Sequence, residues 1–240
     1  YGTASGQISV VGDFDPEAVK TQLQALFAGW KSPAPYAPIA TRYQPRAAHR
    51  ESFSTPDKPN AVLLARQNLS LNVTDADAPA LSIAVDILGG DPLKSRLADR
   101  IRQREGLSYG VSAGLRADDS RSGRDDNGSL TVQAIAAPEN MGKVERALRE
   151  ELARLVADGV TEQELRDAVA ARMVQREQSR ASDGAVAGLL QELLDYDRSM
   201  AFVIERDAAY RSLTVDRVNA AIRTHLKPES LSVFVAGDFK

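Results

Sequence analysis

From Ile87 to Val111 the chain reads I-L-G-G-D-P-L-K-S-R-L-A-D-R-I-R-Q-R-E-G-L-S-Y-G-V, and the groups best suited to act on another molecule are gathered there. Lys94, Arg96, Arg100, Arg102 and Arg104 stand against Asp99 as the acidic residue among them, and Tyr109 follows Arg102 by seven positions. A tyrosine hydroxyl can donate a hydrogen bond to a peptide carbonyl or to a developing oxyanion, and a guanidinium beside it adds positive charge and further donors. Groups of this kind polarise or position a substrate; they do not generate a nucleophile. The same residues allow a plainer arrangement, with Arg102 paired to Asp99 on a solvated face and Tyr109 an ordinary strand aromatic.

Other chemistry is poorly provided for. His49 and His225 are the two histidines, cysteine is absent, and neither H-x-x-E-H nor H-E-x-x-H occurs. A catalytic zinc site therefore has no ligand set, and no disulfide framework is expected. Asp118-Asp119 and Asp125-Asp126 lie in no D-x-D-x-D-G loop and read as loop solvation. Gly89-Gly90 lacks the Lys-Ser/Thr of a phosphate loop, and no G-x-S-x-G elbow occurs. The net charge of −3 argues against nucleic-acid binding by the basic stretch. No run of eighteen apolar residues offers a membrane-spanning helix.

The elements that must position Arg102 and Tyr109 are legible. Gly89-Gly90 can end one helix in the left-handed conformation. Asp91 is placed to cap the next, with Pro92 at its first position. Leu93, Leu97 and Ile101 recur every four residues, so one side of this basic helix is apolar. Glu105-Gly106 closes it, and Leu107–Val111 opens a strand, so that Arg102 and Tyr109 can point into one space.

The pattern L-G-G-x-x-x-x-S-R-L-x-x-x-I-R-x-x-x-G-L-x-Y resembles the second-type domain of pitrilysin/insulinase-like zinc peptidases, the inverted zincins. The resemblance implies a zinc-free domain whose Arg102 and Tyr109 contact a peptide near the scissile bond. Zinc would belong to a homologous H-x-x-E-H-bearing domain or subunit facing it. This chain would supply substrate-binding residues and no catalytic or metal-ligating ones, and alone should not hydrolyse peptides. The same resemblance admits a non-catalytic assembly subunit of this fold, and leaves the bacterial periplasm or the cytoplasm as the compartment.

Along the chain, Ile8–Val11 reads as a strand and Asp15-Pro16 as a helix start. The ending Gly12-Asp13-Phe14 returns as Gly237-Asp238-Phe239 after Leu231–Val235. That repeat predicts an internal duplication, with residues 1–30 the tail of a preceding homologous domain, 31–48 a Pro-rich linker and 49–240 the zinc-free domain. Ala61–Gln67, Gly106–Leu115 and Leu130–Ala136 are expected strands around a polar loop at 116–128. Apolar stripes at Met141–Leu155, Leu165–Met173, Leu189–Leu194, Met200–Tyr210 and Val215–Leu226 are expected helices, Thr161/Glu164 forming a capping box. Strands, then helices, then a closing strand predict an α+β fold: a mostly antiparallel sheet with helices on one face.

Overall fold

The computed structural model describes residues 6–34, 37, 39–120 and 125–239. Pro35 and Pro38 of the expected linker, residues 1–5 of the expected tail and positions 121–124 of the polar loop lie outside the described residues. The chain divides into two compact units. One comprises the residues up to Ala40 with Val174–Glu205, the other Thr41–Met173 with Arg206 onward. The segment 174–205, expected within the 49–240 domain, thus clusters with the N-terminal residues.

The larger unit is built on a five-stranded sheet of β1 (Arg50–Ser54), β2 (Ala61–Ser70), β3 (Gly110–Arg116), β4 (Asn127–Ala136) and β5 (Ser232–Gly237), in the order β1-β5-β2-β4-β3. All pairings are antiparallel except β1 with β5. Strand side chains alternate between faces, and on β2 the alternation is strict: Ala61, Leu63, Ala65, Gln67 and Leu69 are buried, with more open positions between them. The buried face packs under helices α2 (Ala78–Val85), α3 (Met141–Asp158) and α7 (Val215–His225). The stripe Met141, Val144, Leu148, Leu152 and Leu155 on α3 is fully in this core. Thr214 caps α7 through the Arg217 N–H. Buried Gln67 ties off the other end of α7, donating to the His225 carbonyl and accepting from the Lys227 N–H, so one side chain satisfies two backbone groups left over where the helix stops. The remaining helices are α1 (Pro16–Phe27), α4 (Glu162–Gln178), α5 (Asp183–Asp195) and α6 (Met200–Arg211). The capping box of α4 is reciprocal: Thr161 N–H donates to Glu164, and Glu164 N–H to the Thr161 hydroxyl.

Several expectations are corrected. Ile8–Val11 is not in a strand. It lies against α5 by side-chain bonds from Gln7 to the Leu194 carbonyl and from Ser9 to that of Ala187, with no ladder to satisfy a strand backbone. Arg50–Ser54, unremarked in the sequence, is an edge strand. Gly89 and Gly90 adopt no left-handed φ. They belong to a π-helical turn, Asp86–Gly90, that continues α2. Glycine is required at 89 for space, because a Cβ there would lie 2.6 Å from the Ala113 Cβ and 2.7 Å from its backbone nitrogen on β3.

Candidate functional site

The basic stretch is anchored where the sequence places its cap. The Asp91 carboxylate accepts from the Leu93 and Lys94 N–H groups at 2.7 and 3.0 Å. Beyond the cap the chain does not form a regular α-helix. Residues 92–94 form a turn, and Ala98–Arg104 winds as a π-helix, with Glu105 N–H bonding the Arg100 carbonyl five residues back. Leu97 and Ile101 are fully buried as expected. Leu93 is 55% exposed, because the turn breaks the four-residue phase that would have placed it beneath them.

Five basic side chains that look alike in the sequence are sorted by their partners. Arg96 grips Glu164 with two nitrogens at 2.7 and 2.8 Å and also donates to the Gly159 carbonyl. The Glu164 bond raises the Arg96 pKa. Burial pushes Glu164 upward, but Arg96 and the Thr161 N–H outweigh it and hold the carboxyl below its ordinary value. Arg100 bonds Glu105 at 2.9 Å and Glu151 at 3.1 Å, and reaches Glu150 as well. Hydrogen bonds to Glu105 and Glu150 hold its proton far more tightly than usual. Arg104 takes Asp99 at 2.5 Å, which removes the partner the plainer reading gave to Arg102. Arg102 is exposed, and its one hydrogen bond among the described residues goes to the Pro92 carbonyl at 3.2 Å. It is a cation with no carboxylate partner there. Lys94 is likewise exposed.

The approach to β3 explains how Tyr109 leaves the core. Gly106 has φ 60°, a left-handed turn that ends the π-helix, and the Leu107 N–H bonds the Ile101 carbonyl. Leu107 and Ser108 are both buried. The Ser108 hydroxyl lies 2.7 Å from the Ile135 carbonyl and 2.8 Å from that of Gly110, and accepts from the Gly110 N–H. The strand begins at Gly110 rather than at Leu107, where the sequence places its start. Tyr109 N–H bonds the Ile135 carbonyl at 3.3 Å, while its side chain is 82% exposed and its hydroxyl meets no protein partner among the described residues. Ser95, Arg96, Leu97 and Ile101 of the family-like pattern are thus structural. Arg102 and Tyr109 are its members left with unused donors.

The histidines do not form a metal centre. His49 sits 3.3 Å from Glu51 and His225 3.1 Å from Asp77. Among the described residues no group of three His, Cys, Asp or Glu side chains could hold an ion, so this donor set does not fit zinc. The acidic loop serves structure: Asp118 accepts from the Thr41 hydroxyl at 2.5 Å, and Asp126 from the Ser70 hydroxyl and the Tyr43 N–H. Those bonds, the Ser70 one foremost, hold the Asp126 carboxyl below its ordinary value. Sequence spacing carries no trace of this clasp, because its members come from three separate segments.

Comparison with known proteins bears on the family and the fold. Residues 6–172 match the family model described as the peptidase M16 inactive domain. A zinc protease of Streptomyces coelicolor, described as uncharacterised, is 31% identical over 168 residues, 68% of this chain and 35% of the relative. A second, from Mycobacterium leprae, is 38% identical over 87 residues, covering 36% of this chain and 18% of that protein. The chain therefore spans only a minor part of these curated relatives. A crystal structure of a peptidase M16 inactive domain from Pseudomonas fluorescens superposes with a TM-score of 0.78 at 23% identity, over 95% of this chain and 52% of that one. The periplasmic protease PqqL of Escherichia coli gives 0.71 at 21% identity, over 95% of this chain and 25% of its own. At these identities the structural likenesses establish the fold.

Proposed function

Since the chain belongs to the family of peptidase M16 inactive domains, we propose that it is the substrate-positioning half of a zinc metalloendopeptidase. A companion domain or subunit bearing H-x-x-E-H would hold the zinc and supply a metal-activated water, chemistry for which this chain has no ligands. Arg102 and Tyr109 offer their donors to a carbonyl of the bound peptide. The reading rests on one observation above the others. Of the four arginines on the basic stretch, Arg96, Arg100 and Arg104 are bound to carboxylates, whereas Arg102 is not and lies seven residues from a tyrosine whose hydroxyl is unused.

The test is steady-state cleavage of a quenched fluorescent peptide by the enzyme assembled from both halves. Tyr109→Phe removes one hydroxyl and keeps the ring. Loss of a single oxyanion-type donor lowers kcat by about 10²–10³, on the order of 3–4 kcal/mol. A donor that only orients the ground state would raise KM and leave kcat nearly intact. Arg102→Ala is expected to be comparably harmful, and the double variant less than additive, because both groups serve one carbonyl. Unchanged kcat and KM in both single variants would overturn the assignment and leave an assembly subunit as the better reading.

A further inference from the structure

Strand β5 separates β1 from β2, but it starts at Ser232, opposite Arg66. Its two neighbours continue past that point. On one side Gln67–Ser70 of β2 pair with β4 alone. On the other side the segment leading into β1 stays with β5 as far as His49, whose carbonyl accepts from the Val233 N–H and whose own N–H donates to the Ser232 hydroxyl. Before His49 that segment runs on without β5. Neighbouring strands lie ~4.8 Å apart, so the flanks of a missing middle strand begin about 9–10 Å apart, room for one extended chain. The slot closes where the Asn68 side chain donates to the Gln44 carbonyl at 3.4 Å, and where Asp126 holds both Tyr43 and Ser70. A groove of about 680 Å³ lies at this place, within the range of small-ligand and short-peptide pockets.

Two properties of the slot indicate its occupant. First, it presents free backbone groups. The Leu71 N–H bonds the Asp126 carbonyl, and the Leu71 carbonyl accepts from the Asp118 N–H, both on the β4 side of β2. Backbone direction alternates along an antiparallel strand, so the N–H and C=O of Asn68 and Ser70 turn the other way, into the slot, where β5 no longer pairs with them. Second, basic side chains contribute to its lining. Arg46, His225 and Lys227 contribute to the walls, and no lining residue is acidic. Arg46 and Lys227 are exposed. The Lys227 ammonium bonds only the Arg223 carbonyl among the described residues, while the His225 ring is held by Asp77. Asp126 at the closed end has its oxygens turned to the Ser70 hydroxyl and the Tyr43 N–H.

We propose that this slot binds the carboxylate end of an extended peptide, pairing about two or three residues with β2 at Asn68 and Ser70 while Arg46 and Lys227 hold the terminal charge. The site is separate from Arg102 and Tyr109 and requires no cleavage, so it can fail or stand independently of the proposed function.

The probe is a fluorescein-labelled pentapeptide of valine and glutamate with a free C-terminal carboxylate, titrated with the 240-residue chain by fluorescence anisotropy. The same valine–glutamate peptide ending in a carboxamide serves as control and inorganic phosphate as competitor. The free acid is expected to bind about tenfold more tightly than the amide, the effect of a charge-assisted hydrogen bond. Arg46→Gln and Lys227→Gln should each weaken the free acid by a similar factor. Hydrogen exchange at the Asn68 and Ser70 amides should slow on binding. Both charge variants alter exposed side chains, and their thermal midpoints check that folding is unchanged. Equal affinity for acid and amide overturns the proposal, as does indifference to Arg46→Gln and Lys227→Gln. Displacement by millimolar phosphate with no protection at Asn68 and Ser70 would mark a simple anion site and overturn the peptide assignment.

Discussion

Arg100 and Arg102 stand two residues apart and differ in what they cost to remove. Arg100 satisfies Glu105, Glu150 and the buried Glu151. Arg100→Ala would leave the buried Glu151 charge with Arg154 as its remaining ion-pair partner among the described residues, at a cost of about 1–3 kcal/mol. Arg102→Ala and Tyr109→Phe remove groups facing solvent and should each stay within ~0.5 kcal/mol of wild type in urea unfolding. Losses of several kcal/mol in either would show that the side chain supports the fold, and would undercut its assignment to substrate. This separation of roles was only half legible in the sequence. Residue type and seven-residue spacing single out Arg102 and Tyr109. Which arginines are already committed depends on Glu150, Glu151 and Glu164, each of which lies fifty or more positions along the chain from the arginine it binds. Local charge counting sees Asp99 and misassigns it, because the π-winding brings it to Arg104.

Elements with a strong internal period were legible, and those defined by a neighbour were not. The alternation of β2 and β4 and the stripes of α3 and α7 carry their burial on their own residues. Strand β1 is exposed at all five positions and exists because β5 lies beside it in parallel. The π-helical turn at Asp86–Gly90 depends in the same way on β3. Its Gly89 faces Ala113 so closely that Gly89→Ala must push the strand away from the turn. Overpacking of this kind typically costs 1–3 kcal/mol, and contact with backbone leaves little room to relax, so about 3 kcal/mol is expected from chemical denaturation. Because β3 follows directly on the segment carrying Tyr109, the displacement should also lower cleavage in the assembled enzyme. Full stability in Gly89→Ala would mean that the turn and strand can separate freely, and that Tyr109 is not held in register by this contact.

At the scale of the molecule, the two units differ in how far they bury their own apolar residues. The larger has a continuous core from Ala61 to Val235. In the smaller, α1 buries none of its residues, and Leu193 and Val203 are the buried apolar side chains among those described. Leu26 is 72% and Ile204 66% exposed, and Ile8, Trp30, Val174 and Met200 are largely open as well. Single exposed apolar residues are unremarkable, but so many on one small unit call for a cover. The chain matches an inactive domain and spans about half of the Pseudomonas fluorescens structure it resembles. The proposed cover is accordingly the zinc-bearing companion. Added companion should lower the fluorescence of a dye that reports exposed apolar surface, and should do so at a stoichiometry of about one to one. Leu26→Asp and Ile204→Asp place charge on that surface without touching the core of the larger unit. Each should weaken association at least about tenfold, since an unpaired charge at a buried contact costs more than about 1.4 kcal/mol. Sedimentation of the chain alone separates the competing cover, a second copy of itself: concentration-dependent dimers abolished by the same substitutions would assign the surface to self-association. Unaltered companion binding in both variants would place the interface elsewhere on the chain.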